Sequence, residues 1–422
     1  MLLAAPTRLN FIVVGLVITT FILFYSSFRS PRPEEQDVLD FSDADADTAR
    51  TILESSPEHP PARTTHATET THQFLSDDIT SRVQNQTLGF QEIYMISLPD
   101  RSDKQDAFAM QAAFSDISYK QVDGVYGHDV PVKALPHTMG QESNVIGCWR
   151  AHVNVYQRMV HEGISSALIF EDDADWDVSL KEQLVQFAQG SRFITNTSDD
   201  AFPHSPYGHD WDILWIGHCG TWVYPEDSRR FFVIPDDLTV QPPEARVDNV
   251  DQPDMSHWES GPHGNNRTRI VFHSEGGVCT AAYAISQKGA RKALYHLSMV
   301  PYNSPVDWGL AGLCKNKEYD FTCVSPWPQL VGVSRPTANT AKWSDIGYGP
   351  DSERVVEQGR SLHLVYPVRQ NILNFLHGKT IFNSLYPDIA PPMSIKEIGK
   401  AVGHTEILEF SVGPFQKPPE EG

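Results

Sequence analysis

Four carboxylates fall within five residues at Glu171-Asp172-Asp173-Ala174-Asp175, directly after the apolar run Ala167-Leu-Ile-Phe170. Like charges a few ångströms apart raise one another's pKa, so such a cluster calls for a cation to relieve it. A hard divalent ion with oxygen ligands does this and keeps positions open for a substrate's phosphates. Asp173-x-Asp175 is the pair expected to hold it. A buried strand ending in acids puts them where an open α/β sheet presents its ligand crevice, beyond the carboxyl ends of its strands. The chemistry implied is metal-assisted handling of a sugar nucleotide diphosphate. The rival reading is a plain acidic turn or helix start, where Asp is favoured as a cap.

Three other segments offer reactive groups. Arg101, in the polar turn Arg101-Ser-Asp103-Lys104, is placed to meet a phosphate or base, although solvent exposure is the ordinary fate of such a residue. Pro305-Val-Asp307-Trp308 sets an acid beside an aromatic. Asp307 reads either as a helix cap or as the base that takes a proton from an acceptor hydroxyl. His152 and His218 are the reserve bases; His218 follows the apolar run Trp211–Ile216 and can face the same crevice. Cys148 and His152, at i and i+4, suggest a metal site. No second pair completes a zinc pattern, and a buried helix face explains the spacing better.

These residues must be held by regular elements, and the pattern supplies them. Gln91–Leu98 is a β-type run, followed by a helical pattern through Phe108, Met110 and Phe114. Ser118–Val122 gives a second strand. A longer helix starts near Val145, with Ile146, Cys148, Val153, Tyr156, Met159 and Val160 close to one face, and Gly163 ends it. Ala167–Phe170 and Trp211–Ile216 read as buried strands, Gly277–Ser286 as another, and Lys288–Leu294 as a helix. The alternation predicts an α/β fold with a mainly parallel sheet and helices on both faces. Residues 223–270, rich in Pro, Asp and Gly, read as a long irregular insertion of the lid or acceptor-binding kind.

Leu9–Phe28 is an uncharged stretch of 20 residues, about 30 Å of helix, long enough to cross a bilayer. No Ala-x-Ala-like cleavage site follows, which favours an uncleaved anchor over a signal peptide. The sequons at Asn85, Asn196 and Asn266 all lie beyond it, as a lumenal body would allow. The expected layout is a cytosolic tail (1–8), a single transmembrane helix (9–28), a disordered stem (29–88), a catalytic domain (89–375) and a C-terminal extension (376–422). This describes a type II protein of the Golgi or ER membrane with a lumenal domain. The stem is acidic, then rich in Thr, Ser and Pro, and too poor in large apolar residues to offset its ordering entropy. A net charge of −21 argues against nucleic acid as a partner. Five cysteines allow two disulfides with one left over; Cys314 and Cys323, flanking a short polar segment, are the expected pair.

Five segments in order resemble glycosyltransferase family 25. They are Ile93-Tyr-Met-Ile-Ser-Leu-Pro-Asp-Arg101, Gly147-Cys148-x-x-x-His152, Ala167-Leu-Ile-Phe-Glu-Asp-Asp173, Ala282–Arg291 and Pro305-Val-Asp307. The resemblance implies a GT-A-like nucleotide-sugar-binding fold, manganese dependence, and inverting transfer of a hexose, usually galactose, from a UDP-sugar. The acceptor it implies is a glycan or glycoprotein in the secretory pathway. Carried over position by position, Glu171, Asp172, Asp173 and Asp175 become the metal-facing acids, with Arg101, Glu171 and Asp172 on the donor side. Two departures stand out: Ala174-Asp175-Trp176 follows the acids where the family commonly has an apolar residue, and 223–270 has no counterpart. A transferase using another donor sugar and a non-catalytic lumenal glycan-binding protein are the alternatives.

Overall fold

The computed structural model describes residues 79–197, 205–224, 230–347 and 354–408. The expected span Leu9–Phe28 lies outside them, and among the described residues no helix is long and apolar enough to cross a membrane.

A ten-stranded sheet organises the chain. Its strands are β1 (Glu92–Ser97), β2 (Lys120–Asp123), β3 (Ser166–Glu171), β5 (Ile213–Gly217), β6 (Gly220–Val223), β7 (Arg230–Ile234), β8 (Arg269–Val278), β9 (Ala282–Ser286), β10 (Cys323–Trp327) and β15 (His404–Ile407). They lie in the order β15-β7-β8-β10-β5-β9-β3-β1-β2, with β6 beside β8. Strands β8, β9 and β15 run against the other seven, so the sheet is mainly parallel in strand direction yet mixed in its pairings. A three-stranded antiparallel sheet joins β4 (Ala174–Trp176), β11 (Val331–Arg335) and β14 (Arg360–Leu362). A short ribbon pairs β12 (Ala338–Asn339) with β13 (Val355–Val356).

The central strands read as unbroken apolar runs because both sheet faces are covered, and successive side chains go to opposite cores. Ile93, Met95, Leu168, Phe170, Leu214 and Ile216 enter one cluster, beneath α1 (Ser102–Phe114) and α3 (Leu180–Ile194). Tyr94, Ile96, Ala167, Ile169, Ile213 and Trp215 enter the other, beneath α2 (Ser143–Glu162), α4 (Gln287–Leu294) and α5 (Val306–Lys315). Helix α2 ends as expected at Gly163, in the left-handed conformation with φ 73°. Its first turns sit backbone to backbone on the 124–128 loop. A Cβ on Gly147 would stand 2.2 Å from Val125 O, so only glycine admits this approach.

Four expectations change. Residues 79–88 belong to the domain rather than the stem, since Val83 and Leu88 are fully buried in the first cluster. The C-terminal extension is likewise integral: β15 hydrogen-bonds to β7 and closes that sheet edge. The 223–270 stretch is not irregular throughout. Its run Arg230-Phe-Phe-Val-Ile234 is a strand buried on both faces, with Phe232 and Ile234 on one side and Phe231 and Val233 on the other. The Pro, Asp and Gly around it conceal this in the sequence. Gly277–Ser286 is two strands, interrupted where Cys279 takes a left-handed φ of 64°.

Candidate active site

The acidic cluster lies at the junction of the two larger sheets. The chain leaves the central sheet at Glu171 and enters the three-stranded one at Ala174, so Asp172 and Asp173 form a two-residue hinge between them. Ser334 N–H donates to Asp173 O at 2.7 Å and fixes β11 against this hinge. That pairing brings Arg335, the last residue of β11, to the acids: its guanidinium is 2.6 Å from Asp173 Oδ2. Lys104 on α1 reaches Asp172 Oδ1 at 2.9 Å, and Ser97 Oγ donates to Asp172 Oδ2 at 2.8 Å. Arg369, in α6 (Val368–Leu376), donates to the carbonyls of Asp172 (2.8 Å) and Ala174 (3.0 Å).

The repulsion inferred from the sequence is therefore relieved by side-chain cations of the protein itself. Burial works against the charge of Asp173, yet Arg335 foremost, then Lys104, bring its pKa below the usual carboxylate range. Burial pushes Asp172 up to about 6 against the pull of Lys104. Lys104 stays firmly protonated, because burial is outweighed by Asp173, Asp172 and Asp345. Asp173 Oδ1 is buried without a hydrogen-bond partner.

Asp173 and Asp175 do not form a pair. Asp175 is fully buried in β4: Oδ2 accepts from Ser361 Oγ at 2.6 Å, and Oδ1 from Trp176 N at 2.8 Å. The Ser361 bond fastens β4 to β14, and Asp175 does not line the cleft described below. As an expected metal ligand it is corrected to a structural acid. His218 is corrected too. It is buried, donates from Nε2 to Pro326 O (2.9 Å) and stacks on Trp327. Burial lowers its pKa to about 3, so it is neutral and away from the cleft.

Of the expected site residues, Glu171, Asp173 and Asp307 line a cleft of about 1100 Å³, whose walls also include Cys148, Cys279 and Arg335. Asp307 stands in the first turn of α5, whose cap position is Pro305, so Asp307 is not the N-cap residue itself. Its Oδ2 instead accepts from Cys279 N across the cleft wall at 2.9 Å, and Oδ1 from Trp308 N at 2.8 Å. The left-handed turn at Cys279 aims that N–H, and the Cys219–Cys279 disulfide ties the turn to the segment after β5. Burial raises the Asp307 pKa, opposed first by the Cys279 N–H bond. Trp308 is exposed, with its ring 6.1 Å from that of Trp222.

His152 is buried on α2, with Nδ1 2.8 Å from the Tyr283 hydroxyl and Nε2 3.4 Å from Glu171 Oε1. Thr280 Oγ1 donates to the same Glu171 oxygen at 2.5 Å. A smaller cavity, about 160 Å³, opens at the ends of β1 and β2 between Gly124–His128 and Ser344–Ile346. Arg101 does not reach into the open. It is bound to Asp103 Oδ1 (2.9 Å), to the Lys342 carbonyl (2.8 Å) and to Asp345, which Lys104 also holds at 2.6 Å.

Sequence reasoning missed Lys104, Arg335, Arg369 and Asp345. Lys104 had a signal, one turn beyond Arg101 in the same polar turn. The others lie more than 160 residues from the groups they meet, and no local pattern announces that. The expected Cys314–Cys323 bridge is present, joined by the unforeseen Cys219–Cys279.

Residues 90–204 match the family profile described as glycosyltransferase family 25 (LPS biosynthesis protein). The chain is 24% identical over 229 residues to procollagen galactosyltransferase 1 of Danio rerio, covering 50% of this chain and 29% of that one. It is 24% identical over 288 residues to procollagen galactosyltransferase 2 of Homo sapiens, covering 61% and 37%. It is also 23% identical over 144 residues to a Homo sapiens protein named inactive glycosyltransferase 25 family member 3, covering 31% and 22%. The chain thus spans roughly a third of the length of the curated galactosyltransferases it matches. The matched segment runs through β1, the hinge acids and α3, and over it the chain is similar to glycosyltransferase family 25.

Proposed function

We propose that this chain transfers a hexose, galactose before others, from a UDP-sugar to a hydroxyl of a glycan or glycoprotein, with inversion at the anomeric carbon. The observation that carries it is the convergence, in one cleft, of Asp307 with the Asp173–Arg335 pair. These supply what such a transfer needs: a base for the acceptor and positive charge for the leaving diphosphate. The nucleotide would occupy the smaller cavity, at the carboxyl ends of β1 and β2, where open α/β sheets bind such ligands.

Asp307 takes the acceptor hydroxyl's proton as its oxygen bonds to the anomeric carbon, while the bond from that carbon to the diphosphate breaks on the opposite face. Lys104 and Arg335 face the negative charge left on the diphosphate. Manganese fits here through Asp173, whose partnerless buried oxygen offers a hard ligand of the kind that ion shares with substrate phosphates. When bound, it neutralises the leaving group's charge. Two disulfides and the exposure of Asn85, Asn196 and Asn266 support a place in the oxidising secretory pathway. A Golgi or ER membrane anchor at Leu9–Phe28 belongs to the same proposal.

One observation favours a second reading, a glycan-binding protein without turnover: Asp172 and Asp173 are already neutralised by Lys104 and Arg335. A single assay separates the two. The purified chain, given UDP-galactose and a panel of acceptor glycans with and without Mn²⁺, should release UDP and form a glycosidic product. Acceptor binding without UDP release from any UDP-hexose would establish the silent reading.

A further inference from the structure

Cys148, His152 and Glu171 bring a thiol sulfur, an imidazole nitrogen and a carboxylate oxygen to within 4.8 Å of one another. The sequence offered the first two as a helix face; the fold adds the third, because β3 ends opposite the middle of α2. From this geometry we infer a second cation site, for a thiolate- and imidazole-preferring ion of the Zn²⁺ class, with Cys148, His152 and Glu171 as its ligands.

Three features carry the inference. The first is orientation. Nδ1 of His152 is engaged by the Tyr283 hydroxyl, itself 2.6 Å from the Tyr156 hydroxyl, which leaves Nε2 as the nitrogen turned toward Glu171. Metal-bound imidazoles are habitually fixed in this way through their other nitrogen, and ligating carboxylates through hydrogen bonds like that from Thr280. The second is reach. Ligands of a tetrahedral zinc stand about 3.3–3.8 Å apart, given bonds of about 2.0–2.3 Å, so side-chain rotation suffices to close the site. The third is access. Cys148 and Glu171 both line the cleft, so three protein ligands leave a fourth position open to it, as in zinc sites that act on substrates rather than brace a fold. Cys148 is also the one described cysteine outside a disulfide. The sulfur–nitrogen set distinguishes this site from the lone carboxylate oxygen offered at Asp173, since thiolate and imidazole select zinc over manganese.

The test is spectroscopic and independent of turnover. The full chain, stripped with a chelator, is titrated with Co²⁺. One equivalent should produce a thiolate-to-cobalt charge-transfer band and tetrahedral d–d bands, displaced by Zn²⁺ and not by excess Mn²⁺. Cys148→Ser should lose the charge-transfer band. Tyr283→Phe, which removes only the hydroxyl that orients His152, should weaken Co²⁺ binding about 10-fold. Asp173→Asn should leave the spectrum unchanged, so failure of the donor-ion proposal would not touch this one. A spectrum without the charge-transfer band, or one that Mn²⁺ abolishes or that survives in Cys148→Ser, overturns the inference.

Discussion

Asp307→Asn should lower turnover by about 10²-fold or more while leaving donor affinity near normal, because general-base catalysis contributes on that scale. Asparagine keeps a side-chain oxygen for the Cys279 N–H and so preserves the tie across the cleft. What it loses is the capacity to accept a proton. The base works in its ionised form, so turnover of the unmodified chain should fall as pH drops through the Asp307 pKa. Burial raises that value, which puts the acid limb above the ordinary carboxylate range, about 3.9. Rates from UDP release and donor affinity from calorimetry, each across pH, give the check. Near-normal rates in Asp307→Asn would place the base elsewhere in the chain.

A comparable loss is expected of Asp173→Asn, confined to the metal-stimulated part of the rate. A divalent ion at a leaving diphosphate is worth several kcal/mol, which converts to about 10²–10³-fold. The same substitution leaves Arg335 without its carboxylate, so a modest fall in Tm should accompany it, softened by the one-fifth exposure of that guanidinium. Asp175→Asn supplies the contrast. Its carboxylate fastens β4 to β14, so its loss should lower stability while the response to Mn²⁺ survives. A Mn²⁺ response lost in both Asp173→Asn and Asp175→Asn would restore the pair read from the sequence.

The strands were legible because burial on both faces writes itself as uninterrupted apolar residues. The hinge acids were legible because four carboxylates cannot be packed casually. Two kinds of feature were not. Asp175 and Asp173 are identical in the sequence, and only the switch from one sheet to the next separates an acid that opens on the cleft from one sealed against Ser361. The counter-ions were hidden for a different reason: Arg335 and Asp345 become neighbours of α1 and the hinge only after β11 pairs with β4. His218 shows the converse error. A strand end does not of itself face the crevice, and this one turns into Trp327.

The grip of Arg101 and Lys104 on Asp345 has a consequence for how the empty protein prepares for its donor. Two cations beside a site for phosphates would, left bare, hold water and small anions tightly. Here the chain lends them a carboxylate of its own, from a segment that also roofs the smaller cavity. A diphosphate arriving there would trade places with Asp345 rather than add to it, so binding becomes an exchange of anions. Such an exchange gains little net Coulomb energy, and donor affinity should be correspondingly insensitive to salt. Asp345→Asn should raise donor affinity and steepen its dependence on ionic strength together, which titrations at two salt concentrations would reveal.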